Sequence, residues 1–575
     1  MIAYHVEVSA PDTHCATVTV TVPNVKTGAV FSIPAWTPGS YLLREFARYL
    51  DEPTAAIDGR DVACAKTAKG TWEVAGSGTL TIRYSFYGHE LTVRTPHIDQ
   101  SHAYFLGTNA LVYVHGMEAD EHQVSLTMPD GWDVFCALPN RDGAWIAEDY
   151  DVLGDTPFEC GPDHVVHEFE ALGVPHRFIF WGADAVTLDL PKLEADTRAL
   201  IETNAKTFDG SLPYKNYDFV FHIAAGLRGG LEHLNSTVLA TPWKYFDTEK
   251  GYKEMLELIS HEHFHVWNVK RIRPAALGPF DYQNENYTTG LWVVEGFTSY
   301  FDALNCVRAG VVDGAHYIGR LGEDLTKFAK LPGRKKQTVA QASWDAWIRL
   351  YRPDENSPNR TVSYYLKGAL VSLALDLEIR NQTEGKHELR DVMALLWRDF
   401  LDTGAGYADD SIPQAIRRAT GVNAAELVAN LVHTTQDPDF DSLLESHGLE
   451  LNREGPEDPW LGIALSATQD GARVSHVRAD GPQFGGGVYP GDILVAIDGR
   501  RVTVESMPAI ASRLKPNKAV TAHLFRRDQL TVVDVTPAVA PKSAITLRPI
   551  EDATAEQRKR WSAWTQTKWV EPTRD

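Results

Sequence analysis

His261-Glu262-His263-Phe264-His265 carries the pattern HExxH, and it follows Met255, Leu256, Leu258 and Ile259, whose spacing predicts a buried helix. Residues four apart on a helix differ by about 40° in azimuth, so His261 and His265 share a face. Two imidazoles so placed can bind Zn²⁺, and Glu262 beside them can take a proton from metal-bound water. His263 points about 200° away from His261 and is read as a packing residue or one behind the ligands. A five-residue pattern with three fixed positions also arises by chance. Burial weighs against chance here, because three histidines and a glutamate are costly to bury without partners.

A catalytic zinc needs a third protein ligand and an open position. Downstream, Trp292-Val293-Val294-Glu295-Gly296-Phe297-Thr298-Ser299-Tyr300 has helical character and sets Glu295 among apolar neighbours. Thr298 and Ser299 offer hydroxyls, which are poor zinc ligands, and Asp302 is the weaker acidic alternative. A hydrolase of this kind also needs a donor for the developing oxyanion. Tyr364 and Tyr365, in Ser363-Tyr364-Tyr365-Leu366-Lys367-Gly368, are both candidates, although paired tyrosines on a helix are more often core. In Gly229-Gly230-Leu231-Glu232-His233 the glycines would let a backbone approach a ligand closely, and Glu232 could meet a cation such as a peptide's free amine. The plainer readings are a Gly-Gly turn and a Glu232–Arg228 pair.

Around this centre the hydrophobic pattern changes twice. Up to about residue 165, runs such as Thr17–Val22 and Thr79–Tyr87 alternate with period two between turn clusters, which predicts an all-β, sandwich-like domain over 1–165. Residues 166–440 read as mainly helical with a small sheet, the strands falling in Tyr217–Ala225 and Thr237–Trp243. Period two returns over 455–540, where Leu461–Leu465, Ile493–Ile497, Val520–Phe525 and Leu530–Val535 predict a small β module, leaving 541–575 as a tail.

The chain has 575 residues, 43% hydrophobic and 23% charged, a globular mix with room for several domains. No window approaches the roughly 18 apolar residues of a spanning helix. The formal net charge of −22 disfavours nucleic acid and anionic lipid as partners. The basic run Lys270-Arg271-Ile272-Arg273 is too short to reverse that. The five cysteines (15, 64, 136, 160 and 306) are odd in number, scattered and without a CxxC pair, which suits a reducing compartment. Met1–Glu7 has no basic or apolar leader character, so a cytoplasmic location is expected.

The run from His261 through Val266-Trp267-Asn268 and Lys270-Arg271-Ile272-Arg273-Pro274 resembles the glycyl aminopeptidase family of metallopeptidases. So do Ile33-Pro34-Ala35-Trp36-Thr37-Pro38-Gly39-Ser40-Tyr41, Gly229 to His233 and Trp292 to Tyr300. The resemblance covers nearly the whole chain. It implies a β domain, a thermolysin-like catalytic domain of gluzincin type and a PDZ domain. His261, His265 and Glu295 would hold one Zn²⁺, with Glu262 as general base. The related aminopeptidase-N-like family has a Gly-x-Met-Glu-Asn motif whose Glu holds the substrate amine. Glu232 matches it by analogy, with Leu231 and His233 departing from the pattern. That family's Tyr-x-Lys-Gly motif matches Tyr365-Leu366-Lys367-Gly368 and favours Tyr365 as the oxyanion donor.

Trp460-Leu461-Gly462-Ile463 resembles the carboxylate-binding loop of PDZ domains, and Tyr489-Pro490-Gly491-Asp492-Ile493-Leu494 their core signature. Such a module adds a peptide as a strand and captures its C-terminal carboxylate, unless the tail after Pro541 fills the groove from within. The expectation is a zinc aminopeptidase acting on peptides, and the family adds a preference for N-terminal glycine or alanine. The rivals are a zinc endopeptidase and a PDZ-based binding protein with a vestigial metal site.

Overall fold

The computed structural model describes residues 1–455 and 458–572. The chain forms two compact units, one of residues 1–288, 301–312 and 390–411, the other of 289–300, 313–389 and 412–575.

The first unit opens with an eight-stranded sheet in which Ile2–Glu7 pairs in parallel with His122–Thr127 and antiparallel with Cys15–Val25, which in turn pairs with Gly78–Tyr87. Along residues 15–22 burial alternates residue by residue, the period-two pattern of a strand with one face on a core. Val18, Val20, Val22, Leu80, Ile82, Tyr84 and Phe86 build that core.

Beyond this sheet and two smaller ones of the β domain, the same unit holds a five-stranded sheet ordered Val165–Ala171, Val174–Trp181, Tyr217–Ile223, Ser236–Thr241 and Gly229–Glu232. Its centre is parallel, and Tyr217–Ile223 is buried at every position, as expected of a parallel strand covered on both faces. Gly229–Glu232 is the antiparallel edge strand. The Gly-Gly pair is therefore part of a strand and not a turn. The helices Leu190–Thr207 and Glu249–Phe264 pack together, and the Asn204 amide donates to the Ser260 carbonyl.

The second unit holds the helix Leu366–Gln382 and its neighbours, the PDZ module and the chain end. The helix Leu291–Arg308 is continuous. Its residues up to Tyr300 count with the second unit and the rest with the first. The PDZ sheet runs Ile463–Thr468, Gly471–Val477, Ile493–Ile497, Val520–Arg526 and Gln529–Val535 around Leu461, Val474, Leu494, Ile497 and Leu524. Asn359 fastens it to the helical part, donating to the Val477 carbonyl and accepting from the Ala479 amide, each at 2.7 Å.

Among the described residues, no strand of the chain end pairs with the PDZ strand Ile463–Thr468. The chain end's strand Ala544–Pro549 pairs with Leu449–Glu454, and its helix Ala555–Thr565 buries Trp561 and Trp564 against the helical part, where the Trp564 indole donates to the Tyr300 hydroxyl. A buried tryptophan typically costs about 3–5 kcal/mol to truncate, so this segment is a structural element of the second unit. Among the described residues, no helix is long and apolar enough to cross a membrane.

Candidate active site

Thr248 caps the helix Glu249–Phe264, its hydroxyl accepting from the Gly251 amide, and the HExxH run occupies the last turn with His265 at the C-cap. His261 and His265 face each other with Nε2 atoms 3.1 Å apart. The outer nitrogen of each ring has an oxygen partner. His261 Nδ1 lies 2.9 Å from the Asp302 carboxylate, and His265 Nδ1 lies 2.7 Å from the Asn268 carbonyl. A proton on each Nδ1 leaves both neutral rings with Nε2 lone pairs turned toward one another, an arrangement that a cation resolves. Asp302 thus orients a histidine, where sequence spacing had offered it only as a weaker ligand. His263 lies on the other side of the helix, wholly buried, with Nε2 2.8 Å from the Tyr214 hydroxyl, which makes it a packing residue.

Glu295 precedes Asp302 by two turns on one face of the same helix. Glu295 is buried on the helix whose Asp302 holds His261 Nδ1, and with His261 and His265 it supplies the ligand types of a metal site. Two imidazoles and a carboxylate, with outer nitrogens anchored, fit a catalytic zinc donor set.

Glycine contact places Tyr365. Gly296 and Gly368 meet back to back, and a methyl group on Gly296 would fall 2.5 Å from the Gly368 Cα. The helix carrying Glu295 therefore meets the start of Leu366–Gln382 at van der Waals limit, and Tyr365, at that helix's N-cap, lies beside Glu295. Its hydroxyl is 3.3 Å from that of Tyr351, and its ring stacks on fully buried Tyr364. Burial, then the Glu295 charge, holds the Tyr365 phenol well above the ordinary tyrosine range, so it stays a proton donor. Lys367 points elsewhere: it is fully buried, and burial lowers its pKa to about 8.

Glu232 ends the edge strand and is 4% exposed. Its Oε1 has no hydrogen-bond partner among the described residues, and no ion pair with Arg228 forms. Gly230 lies on the same strand face, two residues back, and a methyl group there would fall 2.2 Å from Glu262 Oε1. The strand face carrying Glu232 is thus pressed against Glu262. Gly229 begins the strand at φ +117°.

His233, on the opposite face, meets Asp155 at 3.2 Å, and Asp155 also accepts from Lys270 at 2.6 Å and from the Leu234 amide at 2.7 Å. Burial raises the Asp155 pKa, but Lys270 and His233 outweigh it and hold the group below the usual carboxylate range. This network joins the Glu232 hairpin to the segment after His265. Asp155 lies so far away in sequence that no local pattern marks it. The basic run is spent in the same place, with Arg271 donating to the Leu234, Val266 and Pro213 carbonyls.

A second ligand-type cluster, His102, Glu159 and His222, brings its atoms within 4.8 Å of one another. His102, His164 and His222 all sit 2.7–2.8 Å from the Glu159 carboxylate. Their outer nitrogens have no partner among the described residues, unlike those of His261 and His265. The geometry is that of a buried carboxylate receiving three N–H donors and not of a metal shell. It ties the β domain to the strand Tyr217–Ile223, and nothing in the sequence spacing announced it.

In the PDZ module, Leu461 is buried in the core, Gly462 turns the chain at φ +70° and Ile463 begins the first strand of the sheet. That strand pairs only with Gly471–Val477, so its outer edge carries no strand among the described residues.

The M61 glycyl aminopeptidase family matches residues 254–371, its N-terminal domain matches 3–162, and a PDZ domain matches 459–536. An aminopeptidase N family protein from Idiomarina loihiensis is 30% identical in sequence, covering 98% of this chain and 100% of that one with a TM-score of 0.93. An M1 zinc metallopeptidase from Deinococcus radiodurans covers 76% of this chain and 94% of that one at 16% identity and a TM-score of 0.48. No curated protein matches the chain. With the matches running from the β domain through the HExxH helix to the PDZ module, the chain belongs to the M61 glycyl aminopeptidase family of metallopeptidases.

Proposed function

We propose that this metallopeptidase uses one zinc ion per chain to release small N-terminal residues, glycine or alanine, from peptides. The observation that carries the reading is Glu232: a buried carboxylate with an unpartnered oxygen, on a strand face pressed against Glu262. A buried carboxylate without a counter-charge is costly, and a substrate's ammonium group would supply one. An endopeptidase has no use for such an anchor.

Zinc held by His261, His265 and Glu295 would polarise the scissile carbonyl and acidify the attacking water. Glu262 takes the proton of that water and passes it to the leaving amine. The Tyr365 hydroxyl donates to the carbonyl oxygen as negative charge grows on it. Glu232 fixes the substrate's amine, so that the first peptide bond is the one presented. The preference for glycine is supported by the family's description, and alanine is included as the next smallest side chain. The open strand edge at Ile463–Thr468, with the Leu461-Gly462-Ile463 turn at its start, supports capture of a peptide C-terminus by the PDZ module.

The test combines metal analysis with two substrates. The purified enzyme should hold one zinc and cleave a glycyl substrate, and should lose that activity when the substrate's amine is acetylated. Glu262→Gln should keep the metal and lose most turnover. Full activity on the acetylated substrate would replace this reading with an endopeptidase, and a metal-free protein would return it to a binding role.

A further inference from the structure

We propose that Gly39, in the N-terminal β domain, is a positioning residue for the amine site: its bare backbone forms the wall that holds the Glu232 carboxylate in place. The inference rests on Glu232 as the amine anchor and adds what fixes that anchor.

Ile33–Tyr41 contains no regular strand, yet every residue in it is buried. Loops ordinarily run over the surface, because their backbone polar groups need water. This one has those needs met from within the first unit. The Ala35 amide donates to the Tyr282 carbonyl at 2.7 Å, the Trp36 indole donates to the Asp281 carbonyl at 2.8 Å, and the Ser40 amide closes a turn onto the Thr37 carbonyl. The turn delivers Gly39 to Glu232. A methyl group on Gly39 would lie 2.5 Å from Glu232 Oε1, 2.9 Å from its carboxyl carbon and 2.9 Å from Leu231 Cδ1. Gly39 also has φ +95°, a conformation that other residues adopt only under strain. Glycine is thus required twice, by backbone angle and by space.

The same domain fixes the strand from a second point, where Arg94 donates to the Gly230 carbonyl at 3.1 Å. Val93, Tyr104 and Leu106 pack with Leu231, Val238 and Ala240 beneath it. Gly230 and Gly39 therefore let backbone meet the Glu262 and Glu232 carboxylates respectively. A flexible glutamate would otherwise explore several rotamers, and an anchor a fraction of an ångström out of place misdirects the scissile bond. The β domain, remote in sequence from the HExxH helix, is on this view part of the substrate site.

Gly39→Ala puts the methyl group onto the carboxylate and displaces it. The expected result is a loss in kcat/KM on glycyl and alanyl substrates approaching that of Glu232→Gln, about 10- to 150-fold for a charge-assisted hydrogen bond, with metal content unchanged. The double variant Gly39→Ala/Glu232→Gln should lose little beyond Glu232→Gln alone, because both act through one carboxylate. A purely structural role for Gly39 predicts full additivity and overturns the proposal. If Gly39→Ala does not accumulate folded, Glu232→Asp decides: it keeps the charge but draws the carboxylate back from Gly39. It should fall nearly as far as Glu232→Gln, and parental kcat/KM would overturn the proposal. Parental kinetics in Glu232→Gln would instead remove the anchor itself, and with it the functional reading on which this inference rests.

Discussion

Replacing Gly368 with alanine adds one methyl group where two helices touch. It would lie 2.9 Å from the Gly296 Cα and 3.1 Å from the Trp292 carbonyl oxygen, both backbone, against the 3.4 Å at which ordinary contact begins. The helices must part by about half an ångström, since neither contact can be relieved by a side-chain rotation. Overpacking of this kind costs about 1–3 kcal/mol, and alanine's better helix propensity returns at most about 1. The expected net loss of stability is therefore about 0–3 kcal/mol, small enough for a folded protein. Catalysis should suffer more. Tyr365 is one turn from Gly368 and Glu295 adjoins Gly296, so the gap opens between the proposed oxyanion donor and the proposed zinc ligand. A 1 Å misplacement can cost about 10²-fold, so half of that predicts roughly a tenfold fall in kcat with KM little changed. Steady-state kinetics, urea unfolding and metal content on one preparation separate lost positioning from lost ion or fold. Wild-type kcat in a folded, metal-loaded Gly368→Ala protein would refute the argument that this contact places Tyr365.

Tyr365→Phe should lower kcat about 10²–10³-fold while the metal is retained, and an equal effect from Tyr364→Phe alone would reverse the assignment of the donor. Asp302→Asn weakens the acceptor behind His261 and should reduce metal affinity about 10- to 100-fold in a chelator competition; unchanged affinity would show that Asp302 does not support the ligand. Burial lowers the His102 pKa to about 4 against an ordinary 6.5, so the unfolded chain binds the extra proton between these values. Stability is then full above about pH 6.5 and falls as pH drops toward 4, by on the order of 3 kcal/mol over the whole window. Glu159, held well below its usual range by His102 and His222 against the effect of burial, adds to the loss at the acid end. Melting temperature against pH should show this decline, and His102→Gln should flatten it; an unchanged slope would exclude His102 as its source.

The sequence by itself determined the chemistry that rests on local periodicity. HExxH places two histidines on one helix face whatever surrounds the helix, because the 3.6-residue repeat requires it. Period-two runs such as Thr17–Val22 proved to be one-sided strands, and the apolar surroundings of Glu295 foretold its burial. The roles proposed for Tyr365 and Glu232 rest on resemblance, since a tyrosine pair and a Gly-Gly-x-Glu run have commoner structural uses. Tertiary structure alone decided the rest. Asp302 became the partner of His261, and Asp155 the tie between Lys270 and the Glu232 hairpin, because folding brings together residues that sequence keeps apart. The helix Ala555–Thr565 turned out to bury Trp561 and Trp564 in the helical part. Three histidines gathered on Glu159, and Gly39 came to rest on Glu232. Periodicity reports which face of an element is apolar, but not which distant element will cover that face, and every one of these contacts belongs to the second kind.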